Sequence, residues 1–312
     1  MKTLFIALSL LAGQPDSLNV MFWNLENFFD YRNDSTSVSD AEFSSRGARH
    51  WTKKRFYAKC NAVAKGILWA SAREGAVPDV IGLAEIENAF VLRRLIQATV
   101  LRKLDYKIVH FDSPDRRGID VALLYRGLKP LESHPAHLFN ADSTIMTTRD
   151  ILISTFTTQQ GDTVAFLVNH HPSKFGGAAA SEVRRNIAVE RLRQLADSLQ
   201  TLGIENIIAM GDFNDTPSNP VYHKLKPLLW NKAEAFHRRG EGTIKFNGKW
   251  EVIDMFFVSE NLLQAEMDII YIPFLQAADK GASGTKPLRT YSGPRYLGGV
   301  SDHCPIWLKT RR

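Results

Sequence analysis

Cysteine is scarce in this chain: Cys60 and Cys304 are the only two in 312 residues. No Cys/His spacing of the kind that builds a structural zinc site is present. Cys60 falls inside a helical pattern and Cys304 opens the last strand-like run. An exported chain could join them in a disulfide. The sequence does not say whether they meet, and two buried free thiols are the expected state. Long apolar runs are lacking too. The one that stands out lies at the start, where Lys2 precedes Leu4-Phe5-Ile6-Ala7-Leu8-Ser9-Leu10-Leu11-Ala12. It is too short to cross a bilayer as a helix and suits a secretory signal peptide over residues 1–13, cleaved near Gly13-Gln14. Position 14 is Gln, so lipidation at a Cys there is excluded. The expected location is secreted or periplasmic. An uncleaved first strand in a cytoplasmic protein is the alternative, because the basic start holds one Lys. No other run is long enough for a span, and no stable membrane insertion is expected.

Internal repeats, low-complexity tracts and long Pro/Ser-rich linkers are absent as well. Residues 14–312 therefore read as a single domain. Apolar content of 44% and charged content of 23% are ordinary for a soluble globular chain. The net charge is +6. Such a balance favours polyanionic partners such as nucleic acid or anionic headgroups, and it serves plain solubility equally well. No protein partner is implied, and a monomer is expected.

Strand-like runs recur at 18–23, 80–84, 107–111, 121–125, 151–157, 163–168, 207–210, 252–258 and 305–308. Long amphipathic patterns predict helices over 52–72 and 179–202. The first carries Phe56, Cys60, Val63, Ile67 and Leu68 on one face, with Thr52 as N-cap. The second turns Val183, Ile187, Leu192, Leu195 and Leu199 inward. A shorter helix over 90–104 follows Asn88, another cap residue. Strands and helices in this mixture predict two sheets packed face to face with helices outside. Two polar segments read as mobile loops, 33–45 and 279–299. The second holds Lys280, Lys286, Arg289 and Arg295 among Tyr291 and Tyr296. Basic residues interleaved with aromatics suit phosphate contact and ring stacking, and a solvated surface loop reads the same way.

Chemistry-bearing residues gather at strand ends. Gly211-Asp212-Phe213-Asn214 follows one apolar run, and Ser301-Asp302-His303-Cys304-Pro305 opens another. Side chains two apart on a strand share a face, so Asp212 and Asn214 point the same way. Upstream, Val20-Met21-Phe22-Trp23 ends in Asn24, the run from Asp79 leads to Glu85, and Val164 to Asn169 ends in His170. A folded core would not choose acids, amides and imidazoles at these places, whereas a divalent metal and a phosphate would.

These segments, in this order and spanning almost the whole chain, resemble the endonuclease/exonuclease/phosphatase superfamily, the DNase I-like metal-dependent phosphoesterases. The resemblance implies a four-layer α/β sandwich, two packed mixed β-sheets flanked by helices, with the active site at one edge of both sheets. It implies divalent-metal-dependent hydrolysis of a phosphoester, with Mg²⁺ as the expected ion and Mn²⁺ or Ca²⁺ as alternatives. Glu85 and Asp302 are the expected metal ligands. Asn24 is expected to join them, to hold Asp212 in place or to touch substrate. Asp212 is expected to activate the attacking water, Asn214 to bond a phosphate oxygen, and His303 and His170 to flank the phosphate. Asp302 could alternatively fix a histidine tautomer, and Asp254 is a possible orienting partner for His170. The pair His170-His171 is ambiguous by alternation, and spacing favours His170. Ser173, Lys174 and Arg117 are candidate substrate contacts, and Asp120 is a second-tier candidate beside them. The expected substrate is extracytoplasmic DNA or RNA. The alternative is a small or lipid phosphoester of the inositol phosphate or sphingomyelin type, because fold does not fix substrate.

Overall fold

The computed structural model describes residues 17–32, 37–174 and 178–310. The leader expected at 1–13 and part of the 33–45 segment lie outside the described residues. The chain enters a first sheet through β1 (Asn19–Phe28), β2 (Val80–Ile86), β3 (Lys107–His110) and β4 (Asp120–Tyr125). It crosses to a second sheet for β5 (Lys129–Ala136), β6 (Ile151–Thr157), β7 (Thr163–His170), β8 (Asn206–Asp212), β9 (Trp230–Asn231) and β10 (Asp254–Val258). It returns to the first for β11 (Glu266–Ile269) and β12 (Ile306–Lys309). The two six-stranded orders are β11-β12-β1-β2-β4-β3 and β5-β6-β7-β8-β10-β9. Each sheet is mixed. Its parallel pair, β1–β2 or β7–β8, sits among antiparallel neighbours. Parallel strands need a crossover, and long helices supply it: α1 (Lys53–Glu74) follows β1, and α3 (Ala178–Thr201) follows β7. The shorter α2 (Ala89–Gln97) packs beside α1 after β2.

Alternation along β1 explains the layers. Val20 and Phe22 enter the core between the sheets, while Met21 and Trp23 face Phe56, Cys60, Val63 and Ile67 of α1. Gly82 lets the sheets close: a Cβ there would lie 2.7 Å from Met210 Sδ. The result is the expected four-layer sandwich, two mixed sheets with helices outside.

Several local expectations change. β5 carries Pro130 and Pro135 and was not predicted as a strand. It survives because it is an edge strand, where a missing N–H costs little. The helix expected over 90–104 stops at Gln97. Thr99 there bonds the Leu95 carbonyl and caps a short 3₁₀ turn, Val100–Lys103. Val183 on α3 is 60% exposed, off the stripe that buries Leu192, Leu195 and Leu199. The 279–299 segment is not a structureless loop. It contributes to two small ladders, Gln276–Ala278 with Thr285–Pro287 and Tyr291–Ser292 with Arg295–Tyr296. Tyr291 is buried against Phe43 and Trp51, so it packs the protein instead of offering a stacking face. Within 33–45, a short helix, Val38–Glu42, is capped by Ser37. Cys60 and Cys304 are free and buried, and burial pushes both thiols up to about 12, as inert buried thiols require.

Candidate active site

β7, β8 and β10 lie side by side with His170, Asp212 and Asp254 in register. Registered neighbours on a sheet project to the same side, so the three form a row with Asp212 in the middle. Gly211 makes this possible, because a Cβ there would come 2.3 Å from the Asn169 carbonyl oxygen. Asn24 comes from the other sheet. It lies on the same face of β1 as Val20 and Phe22, and its Nδ2 donates across the gap to Asp212 Oδ2 at 3.0 Å.

Glu85 reaches this row through backbone strain. Simple alternation would place it with Ile81 and Leu83, towards the helices. The β2–β4 register breaks between Ala84 and Ile86, and Glu85 takes φ +61°. A bulge of this kind re-aims one side chain. Its carboxylate then accepts the Asn27 N–H at 2.7 Å and lies 3.9 Å from His170 Nε2. Glu26, Asn27 and Asn214 also hold positive φ, so strained residues cluster at this edge.

His303 sits just before β12. Its Nδ1 is 2.8 Å from Asp254 Oδ2, and its Nε2 is 3.8 Å from Asp212 Oδ2. Asp254 therefore partners His303, not His170, and that expectation is corrected. Ser301 Oγ bonds the Asn24 carbonyl and accepts the His303 N–H, which fixes the turn. Asp302 is the open member, 35% exposed, with Arg289 at 3.2 Å.

Protonation differs sharply across the row. Burial pulls the His303 pKa down, but Asp254 and Asp212 outweigh it and hold the imidazole well above its ordinary value. Burial, reinforced by Arg149 and Arg117, pushes His170 well below its ordinary value. Burial raises Asp212 to about 7. Near neutral pH the site thus contains a neutral imidazole, an imidazolium and a carboxyl poised to accept a proton.

The two adjacent histidines have different surroundings. His170 faces Asp212 and Glu85, whereas His171 packs edge-on against Phe213 with its Nε2 3.4 Å from Asn169 Oδ1. Asn214 lies beside the row and donates Nδ2–H to the His171 carbonyl. Arg117 reaches Glu85 at 3.4 Å and bonds Asn27. Lys174 pairs with Asp215 at 3.2 Å, and Ser173 is half-buried on the same loop. Asp120 does not join the row; it faces His110 and Ser113. Sequence reasoning overlooked Arg149, which donates to the carbonyls of His170 and His171 and pairs with Asp115. It also overlooked Glu26, which accepts from Arg289 and Thr290. An arginine next to an aspartate just ahead of an apolar strand run was the available signal for the first.

The donor set fits a hard divalent cation. Glu85 and Asp302 are carboxylates that stay partly open to solvent, 13% and 35% exposed, as ligands of a hydrated ion need to be. Asn24 does not fit as a ligand: its NH₂ faces the two carboxylates, and its Oδ1 accepts the Glu26 N–H. Asp212, Asp254 and His303 also lie at ligand spacing, within 4.8 Å. Those three are buried and Asp254 already engages His303 Nδ1, so the more open Glu85 and Asp302 are the better pair for a hydrated ion.

The model for the Endonuclease/Exonuclease/phosphatase family matches residues 19–312. The chain belongs to that family. It is accordingly a metal-dependent phosphoric ester hydrolase. The family fold also appears in solved structures of low identity. D. rerio TDP2 complexed with a single-strand DNA product is 16% identical, with a TM-score of 0.55 over 95% of this chain and 99% of that one. The human Nocturnin catalytic domain with bound sulfate is 17% identical, with a TM-score of 0.56 over 95% and 94%. A family protein from Bacteroides thetaiotaomicron is 17% identical, with a TM-score of 0.57 over 95% and 98%. No curated protein matches the chain in sequence.

Proposed function

We propose that this family member hydrolyses phosphodiester bonds in DNA or RNA. The observation that carries the chemistry is Asp212, seated between neutral His170 and the charged His303–Asp254 pair. A bound Mg²⁺ ion would be held by Glu85 and Asp302 and would supply electrophilic charge to the phosphate oxygens. Asp212, raised to about 7 by burial, accepts the proton of the attacking water. Asn24 holds Asp212 in place through the 3.0 Å bond. His303 stabilises the charge that develops on phosphorus, and Asp254 keeps its proton in position. His170 stays neutral and contacts a phosphate oxygen from the opposite side. Asn214 adds the second hydrogen of its amide.

Net charge, the rim position of Arg117 and the DNA product held by D. rerio TDP2 support a nucleic-acid substrate. Arg289 is less suited to phosphate than its sequence context implied, because Glu26 and Asp302 both engage it. Lys286 is likewise paired, with Asp279. Among the described residues no helix is long and apolar enough to cross a membrane. Export by the segment 1–13 belongs to this proposal and rests on sequence pattern. The test is a panel of duplex DNA, single-strand DNA, RNA, inositol phosphates and sphingomyelin, each with Mg²⁺ and with EDTA. Mg²⁺-dependent cleavage of a nucleic acid, with at most slow turnover of the others, is expected. Efficient turnover of a small or lipid ester and none of nucleic acid would replace the substrate assignment.

A further inference from the structure

A second cluster of ligand-type side chains lies where β3 ends and β4 begins. His110 ends β3, Asp112 follows it, and Asp120 opens β4. One ligand atom from each lies within 4.8 Å of the others. The His110 side chain is 4% exposed, Asp120 is buried, and Asp112 opens the group to solvent.

His110 Nε2 is the informative atom. It is buried and has no hydrogen-bond partner. Asp120 Oδ2 is 3.2 Å away, yet off the direction a hydrogen bond would need. A buried nitrogen left this way costs free energy unless something else satisfies it. The 3.2 Å separation matches another geometry. Ligands about 2.0–2.1 Å from a tetrahedral metal are about 3.3 Å from one another. Asp120 is also held as ligating carboxylates are held. Its Oδ1 accepts both the N–H and the Oγ–H of Ser113, at 2.9 and 2.5 Å, which leaves Oδ2 aimed at the imidazole.

We propose that His110, Asp112 and Asp120 form a second divalent-cation site, separate from the catalytic pair Glu85 and Asp302. One imidazole with two carboxylates selects a borderline transition ion such as Zn²⁺ over Mg²⁺ or Ca²⁺. Its place gives it a task. Asp112 and Asp120 bracket the loop that carries Asp115, which pairs with Arg149, and Arg117, which reaches Glu85. An ion joining the two ends of this loop fixes it against the catalytic edge. The ion is structural, so the proposal stands whether or not nucleic acid is the substrate.

The test is Zn²⁺ titration of the metal-stripped full chain by calorimetry, with excess Mg²⁺ to fill the catalytic pair. The wild type is expected to take up one tight Zn²⁺. Asp112→Ala should weaken it by at least about tenfold. Asp112 is exposed, so this variant leaves the core untouched. Glu85→Gln should retain the tight Zn²⁺. Absence of tight uptake by the wild type overturns the proposal, as does unchanged affinity in Asp112→Ala. Loss of the ion in Glu85→Gln with retention in Asp112→Ala would place it at the catalytic pair and also overturn it.

Discussion

Asp212 and His303 occupy one corner of the site, and their surroundings make both hold a proton more tightly than usual. The proposed mechanism requires Asp212 ionised, so activity should rise as pH climbs through about 7, the value to which burial lifts that carboxyl. The same mechanism uses a protonated His303, so activity should fall again above the raised histidine pKa. Asp254→Asn tests the second limb. It removes the carboxylate 2.8 Å from Nδ1, so the alkaline limb should move to lower pH. An unmoved limb would detach Asp254 from the mechanism. Asp212→Asn and His303→Ala should each lower kcat by roughly 10²-fold or more with the fold intact. Glu85→Gln should instead raise the Mg²⁺ concentration needed for half-maximal rate, since an amide is a weaker ligand than a carboxylate. His170→Ala should be far more damaging to kcat than His171→Ala, whose ring packs on Phe213.

At the scale of elements, the site depends on how closely strands approach one another. β8 can bring Asp212 into line with His170 only because position 211 lacks a side chain. Gly211→Ala drives a Cβ against a backbone carbonyl, which cannot swing aside as a flexible side chain can. It should cost about 1–3 kcal/mol in urea denaturation and reduce activity more than an equally destabilising substitution far from the site. A Gly211→Ala protein as stable and active as wild type would show that the β7–β8 spacing is not tight. The β2 bulge acts at the same scale. It turns Glu85 out of the alternation that Ile81 and Leu83 follow.

Over the whole molecule, burial of His170 and His171 couples stability to acid. Burial, with Arg149 and Arg185, lowers His171 from 6.5 to about 3. The unfolded chain takes up a proton below 6.5 that the folded chain refuses. Stability is therefore lost as pH falls through that window and is unaffected by this group above it. His171→Gln should make the decline between pH 6.5 and 3 shallower, by up to about 1.4 kcal/mol per pH unit where the proton difference is complete. Unfolding free energies measured across that range check it, and an unchanged slope would remove His171 from the acid response.

The sequence by itself determined the layers and most of the chemistry-bearing residues. Periodicity is a local property, so α1, its Thr52 cap, the Asn88 cap and the apolar strands were legible. Asn24, Glu85, His170, Asp212 and His303 stood out because polar groups ended or opened apolar runs. Pairings between distant segments were decided only by tertiary structure. Asp254 went to His303 because β10 lies next to β8 and the turn before β12 folds over both. The placement of His170 beside Asp212, the rotation of Glu85 and the burial of Tyr291 follow from register, a bulge and packing. None of these leaves a mark on local periodicity. The same holds for protonation, since a side chain's charge is set by burial and by neighbours far away in the chain.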